Sequence, residues 1–325
     1  MIDIWRHESA PFILCQHFTY SVGTMVPPLL LGPFLTDRIE NVTITNSSIV
    51  ESMEASAELY IPFSVVAALI ISGIVMHCGL GMAYKNRAIV YGVNSSAVEH
   101  LKDIPEDEGL SVLEDTLKRK ICLVALACFI IGFYSALELC TSQFLPTFSN
   151  FSDVHLSQSE AAKVLFGLQL GFSIGRLVGI ILVLRIAPQF LFVGNFTVIL
   201  VSNIILSVLG GSSVTWLWIG SVSIGVGMST VYPVLYAYIE KYIFVNTTVA
   251  GVITVAGGMV SSIYPLIVGN SVEKNPRILT YVNFVSIAVC TAAFFVLFWT
   301  TQARSKREKE FRGGTTIHFK SIPTE

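Results

Sequence analysis

A carboxylate stands in the middle of an otherwise uncharged run, Glu138 within Ile121–Leu145. Inserting an ionisable side chain at the centre of an apolar span costs about 2.5–3.5 kcal/mol, so its presence needs a reason. Tyr134, Glu138 and Ser142 fall at i, i+4 and i+8, on one face of a helix. A carboxylate among hydroxyls can bind the hydroxyls of a polar solute, hold a coupling cation or exchange a proton; it can also be a structural group tied to a neighbouring helix. The next apolar run carries Gln169, Ser173 and Arg176 at i, i+4 and i+7, again on one face. At 1.5 Å per residue, Glu138 and Gln169 lie roughly 10 Å and about 12 Å from the same surface, and Arg176 about 22 Å from it. Glu138 and Gln169 are therefore expected to face one cavity. Arg176 is expected at an inner vestibule or on a backbone carbonyl. Gln16 and His17 lie low in the first apolar run. Tyr232 and Tyr236 share a face with Glu240 in the sixth, where their rings can stack on a sugar.

No catalytic constellation accompanies these groups. The chain has no Gly-x-Ser-x-Gly, no His-Glu-x-x-His and no phosphate loop, and His100, His155 and His318 are scattered. No enzyme and no resident cofactor or metal is expected, only sodium or a proton as coupling ion. Cys15, Cys78, Cys122, Cys128, Cys140 and Cys290 match no zinc or disulfide spacing and are expected as small buried hydrophobes. The net charge of −2, with no basic patch interleaved with aromatics, argues against nucleic acid.

The elements that must position these residues follow from hydropathy. The chain has 325 residues, 53% hydrophobic and 13% charged, with a mean hydropathy of +0.69. Soluble domains carry about 25% charged residues, so the long uncharged runs need a bilayer. Eight runs are long enough to span: Pro11–Leu35, Tyr60–Ala83, Ile121–Leu145, Ala161–Ile186, Phe190–Leu209, Val214–Tyr238, Thr247–Val268 and Leu279–Trp299. Strands of a barrel would be about 10 residues long and would alternate, which these do not. The predicted fold is all-α, a polytopic bundle of about eight transmembrane helices.

Orientation follows from the basic residues. With the N-terminus cytoplasmic, 15 of the 20 Lys and Arg are inside, 4 (Arg38, Lys163, Lys274, Arg277) are outside, and Arg176 is within a span. Both termini are then cytoplasmic, and a plasma-membrane location is expected. The sequons at Asn41, Asn46 and Asn150 fall outside and are expected to accept glycans. Those at Asn94 and Asn246 fall inside, and Asn195 heads one within the fifth span. The runs divide the chain into residues 1–83 with two spans, an acidic-centred cytoplasmic linker over 84–120, six spans over 121–300, and a cytoplasmic tail over 301–325. Gly167, Gly171, Gly175 and Gly179 recur every four residues and form a flat ridge for close helix contact.

Pro28-Leu29-Leu30-Leu31-Gly32 and Pro265-Leu266-Ile267-Val268-Gly269 end two spans of the same direction, six spans apart. Parallel six-helix repeats mark the major facilitator superfamily. Trp5, Pro11-Phe12, Gln16-His17-Phe18 and Gly32-Pro33-Phe34-Leu35 resemble the fifth helix of that superfamily's sodium-dependent glucose transporter branch. Glu138, Gly175-Arg176, Gly225-Val-Gly-Met228 with Pro233, and Gly257-Gly258-Met259 with Pro265 resemble its later helices. The resemblance implies that residues 1–83 are what remains of an N-terminal half, with four of twelve helices lacking. It also implies that the helix carrying the glycine ridge lies at the interface between halves. Its functional implication is a secondary transporter that moves a small polar solute, a hexose such as glucose, by alternating access. The alternative is a truncated relative that does not transport.

Overall fold

A computed structural model describes residues 9–35, 60–88, 106–243, 245 and 247–319. Ten helices, α1 to α10, build the spans: α1 (Ser9–Leu31), α2 (Tyr60–Ala88), α3 (Glu106–Phe151), α4 (Gln158–Arg185), α5 (Pro188–Ile205), α6 (Val214–Met228), α7 (Val231–Glu240), α8 (Thr247–Ser261), α9 (Tyr264–Gly269) and α10 (Ile278–Phe319). No strand occurs among the described residues. Seven stretches of the described chain are apolar and long enough to cross a bilayer, from Tyr60–Ala83 to Ile278–Gln302. The 23-residue α1 also has the length of a span. The all-α bundle expected from hydropathy is the fold observed.

Local chemistry explains where the helices depart from the apolar runs. The sixth run is two helices, α6 and α7, parted at Ser229–Thr230, and the seventh is α8 and α9, parted after Ser261. Pro233 and Pro265 cause the breaks, because proline has no N–H for the carbonyl four residues back and its ring crowds that carbonyl. The two Pro-Leu-x-x-Gly segments thus differ in structure. Pro28 sits inside α1, ahead of a 3₁₀ turn at Gly32–Phe34, while Pro265 starts a new helix. The predicted linker is helical at both ends. α2 runs to Ala88, and α3 begins at Glu106, where Glu106, Asp107 and Glu108 suit a helix N-terminus. The predicted tail continues α10 as far as Phe319, through a stretch rich in Arg, Lys and Glu.

A capping box starts α4. The Glu160 N–H donates to Ser157 Oγ at 3.2 Å, and the Ser157 N–H donates to Glu160 Oε2 at 3.3 Å. It sets the register of the helix carrying Gln169 and Arg176. The glycine ridge then brings α4 against α6. A Cβ at Gly167 would come within 2.6 Å of the Trp218 ring, one at Gly171 would strike the Val222 carbonyl, and one at Gly175 would lie 2.7 Å from Ser229 Cβ. Gly179 is buried on the same helix. The ridge therefore packs within the six-helix bundle. The chain around α6 follows its groove, while α1 meets α4 through side chains such as Thr24 and Met25.

The core runs through α3 to α10. Phe192 stacks on Phe294 at 4.0 Å, and Tyr238 bonds Thr301 at 2.7 Å. Asn283 reaches Thr141 Oγ1 at 2.9 Å and Asn203 Oδ1 at 3.3 Å, and Asn203 donates to the Thr280 carbonyl at 3.0 Å. Side-chain amides bonded across helices in this way are glue between spans, although Asn283 Oδ1 has no partner among the described residues. By contrast α2 packs chiefly on α1, and its apolar side chains, Leu69 and Ile71 among them, face outward. Cys15, Cys78 and Cys122 are likewise exposed, which corrects the expectation that all six thiols are buried; in a bilayer an apolar face has lipid to cover it.

Candidate functional site

A cavity of about 640 Å³ opens where α1 crosses α3, α4, α7 and α8. Each wall is a helical stripe. α1 supplies Gln16, Tyr20 and Thr24 at i, i+4 and i+8, with His17 beside them. Ser135, Glu138 and Ser142 on α3, Gln169, Phe172 and Arg176 on α4, and Thr254, Gly257 and Ser261 on α8 each keep the i, i+3, i+7 spacing. Tyr232 on α7 closes one side.

Of the residues singled out from sequence, Glu138, Gln169, Gln16, His17, Tyr232 and Arg176 come together on this cavity. Tyr134, Ser173 and Tyr236 do not line it. Tyr134 is 1% exposed and donates to the Met228 carbonyl at 2.5 Å. Ser173 is buried against Met25 Sδ at 3.3 Å. Tyr236 lies behind Tyr232, ring centroids 5.2 Å apart, with its hydroxyl on the Ala250 carbonyl at 3.3 Å. A helical face spans several neighbours, and here the outer members of each face meet the next helix.

Arg176 was expected apart from Glu138. The cavity extends far enough down α4 for both to line it. Arg176 does bind carbonyls, as its second expected role had it. Nε donates to Ser229 O at 3.1 Å and Nη1 donates to His17 O at 2.5 Å. Its guanidinium lies 3.9 Å from the Phe172 ring centroid and 5.7 Å from that of Tyr20. Glu138 is half-buried on the opposite wall.

Besides the contacts of Arg176 with His17 and Tyr20, three more join α1 to the bundle around the cavity. Thr24 Oγ1 donates to Gln169 Oε1 at 3.0 Å, the His17 ring lies 5.6 Å from Tyr232, and Met25 meets Ser173. Tyr232 is steadied by Thr254, hydroxyl to hydroxyl at 3.2 Å. One carboxylate and one guanidinium leave the lining without net formal charge, among hydroxyls and amides that both give and accept hydrogen bonds. Such a lining suits a neutral polar solute.

Tyr20, Thr24, Ser135, Phe172, Thr254 and Ser261 are lining residues that the sequence reading did not single out. Their signal is the same polar stripe at helical spacing, diluted because hydroxyls and aromatics are common in spans. Asn150 donates its side-chain amide to the Leu156 carbonyl at 2.7 Å and closes the turn after α3. Asn41 and Asn46 lie outside the described residues.

The pattern of the Major Facilitator Superfamily matches residues 18–265. No curated protein sequence matches significantly. Among solved structures, a single-site variant of the E. coli fucose:proton symporter FucP superposes with a TM-score of 0.55 at 16% identity, covering 90% of this chain and 72% of that one. At that identity the likeness is one of fold.

Proposed function

From the premise that this chain belongs to the major facilitator superfamily, a family of transporters rather than enzymes, we propose that it moves a neutral polyhydroxylated solute, a hexose such as glucose, by alternating access coupled to sodium or protons. The observation that carries this reading is the charge-balanced cavity between α1 and the six-helix bundle, with Glu138 and Arg176 on its walls. Hexose hydroxyls find acceptors at Glu138 and Gln169 and hydroxyl partners at Thr24, Ser135 and Ser142, and Tyr232 offers a ring face. The similarity in fold to a symporter of fucose supports a sugar as solute, and the resemblance to the sodium-dependent glucose branch makes sodium the first ion to test. Movement would exchange the α1 contacts at Gln169, Arg176 and Tyr232 for others while the six-helix bundle, stapled by its glycine ridge and amides, moves as a body. The 15 to 4 distribution of Lys and Arg supports cytoplasmic termini, and the plasma membrane is the membrane proposed.

A second reading, that this chain by itself does not transport, is favoured by one observation. Among the described residues, α2 leaves its apolar faces uncovered, so the α1 side of the cavity has few described neighbours. One experiment separates the two. Proteoliposomes holding the purified chain are given labelled glucose, fucose or mannitol with sodium, with a pH gradient, or with neither. Uptake above empty liposomes supports the first reading, and uptake equal to empty liposomes under every condition supports the second.

A further inference from the structure

A second cavity, of about 400 Å³, lies at the end of the bundle where α3 leads to α4, α5 turns toward α6, and α9 leads to α10. Ser152, Asp153, Ser207, Lys274, Arg277 and Tyr281 are among its walls. Ser152 is 7% exposed, and its hydroxyl has no hydrogen-bond partner among the described residues. A buried hydroxyl left unmatched is costly, and such a group in a folded protein asks for an explanation. Lys274 and Arg277 are exposed on the turn before α10, and neither has an ion-pair partner among the described residues. Backbone bonds hold that turn: Ser271 O accepts from the N–H groups of Asn275 at 2.8 Å and Lys274 at 3.2 Å.

One backbone irregularity borders the same cavity, and a second lies three residues beyond Ser152 in the chain. The chain leaves α5 through a π turn at Leu206–Gly210, which contributes Ser207 and Val208 to the wall. His155 has φ 45°, rare for a residue with a side chain, and its N–H donates to Ser152 O at 2.9 Å. The Val154 N–H donates to Gly211 O at 3.0 Å and ties the two turns together. Single π turns and strained residues concentrate at functional sites.

We propose that this cavity is a binding site for a singly charged oxyanion, a phosphate or carboxylate group held between Lys274 and Arg277 with the Ser152 hydroxyl donating to it. Two cations against the single carboxylate of Asp153 leave one net positive charge, which a monoanion neutralises. Arg277 presents a planar fork that matches an oxyanion, and Lys274 adds a point charge. The ligand is a soluble anion or the phosphodiester of a lipid headgroup. The exposed Phe151, Val208 and Tyr281 give a lipid's apolar part a surface to lie on.

The test uses the full chain purified in neutral detergent, with thermal unfolding followed by tryptophan fluorescence at constant ionic strength set with KCl. The probes are inorganic phosphate, acetate, dihexanoylphosphatidylglycerol and, as a zwitterionic control, dihexanoylphosphatidylcholine. A saturable rise in Tm with an anionic probe is expected. The double variant Lys274→Ala/Arg277→Ala should weaken apparent affinity at least about tenfold, since it removes both charge-assisted bonds. Ser152→Ala should also weaken it, while leaving the ligand-free Tm equal or higher, because the deleted hydroxyl has no partner to lose. A rise with phosphate or acetate identifies a soluble anion, and a rise with the glycerol lipid alone identifies a headgroup. The proposal is overturned if no anion shifts Tm beyond KCl, if the choline lipid matches the glycerol lipid, or if affinity is unchanged in both variants. Should the double variant not fold, affinity unchanged in Ser152→Ala alone overturns it.

Discussion

Arg176 donates its Nε–H to the Ser229 carbonyl at 3.1 Å, and that carbonyl is open to it because Pro233, four residues on, has no N–H to offer. The neighbouring Met228 carbonyl, at the same break between α6 and α7, takes the Tyr134 hydroxyl. A proline that interrupts a span thus creates two acceptors, and side chains from α3 and α4 fill them. In a bilayer no water can do so cheaply, so such carbonyls are matched inside the protein. Nη1 of the same arginine holds the His17 carbonyl on α1. The break, the cavity wall and the α1 contact therefore meet in one guanidinium.

Replacing Arg176 by Ala should lower stability by about 1–2 kcal/mol through the carbonyls it strands. Pro233→Ala restores a backbone N–H able to close on Ser229 O. In the Arg176→Ala background it should recover part of that loss, although in the parent it gives little. Thermal unfolding of the four proteins in nanodiscs forms a double-mutant cycle. Strictly additive effects would show that the proline break and the arginine are unrelated.

Close packing of α4 on α6 makes a second pair of expectations. Gly171→Ala would drive a methyl into the Val222 carbonyl, and Gly225→Ala into the Leu168 carbonyl. Backbone cannot swing aside as a side chain can, so each should cost about 1–3 kcal/mol, or more if the helices separate. Gly194→Ala meets nothing within 4 Å and should be neutral, or stabilising by about 0.5–1 kcal/mol from helix propensity. Equal melting temperatures for Gly171→Ala and Gly194→Ala would contradict the packing described.

How far sequence reaches is plain from these residues. The spans are legible because uncharged runs of 20 residues have few other uses, and Glu138 and Gln169 because polar groups there stand out at helical spacing. The partner of the glycine ridge is not legible: spacing reveals a flat face but not that α6 covers it. Nor are the partners of Arg176, since Pro233 announces an open carbonyl without saying which helix lies opposite. Depth along separate helices places Glu138 and Arg176 about 12 Å apart in level, yet a cavity that runs along the helices takes in both. Tyr134 and Glu138 share a face on a helical wheel, but a cavity wall and a buried helix contact divide that face between them.

That division separates two tyrosines by function. Tyr134→Phe strands the Met228 carbonyl and should cost about 1 kcal/mol of stability, with solute affinity unchanged. Tyr232→Ala removes a ring from the cavity and should weaken solute binding about tenfold, a ring contact being worth about 0.5–1.5 kcal/mol beyond its area. Tryptophan-fluorescence titration with glucose, beside thermal unfolding, reads both. A loss of affinity in Tyr134→Phe without one in Tyr232→Ala would displace the site from this cavity.

Glu138→Gln is the sharpest change the site allows. Glutamine keeps the shape and one acceptor oxygen of the carboxylate but removes its charge, leaving the guanidinium of Arg176 as the cavity's one formal charge among its lining groups. If Glu138 carries the coupling ion or proton, gradient-driven uptake should fall at least about tenfold while expression and Tm hold, since a neutral group is no harder to keep in a span than a charged one. Solute exchange without a gradient needs only binding and movement, so it should persist in the variant, at a lower affinity set by the lost acceptor. Proteoliposome uptake with and without sodium or pH gradients distinguishes these cases. Driven uptake equal to the parent would remove Glu138 from coupling, and loss of exchange together with driven uptake would make it a solute-binding or structural group instead.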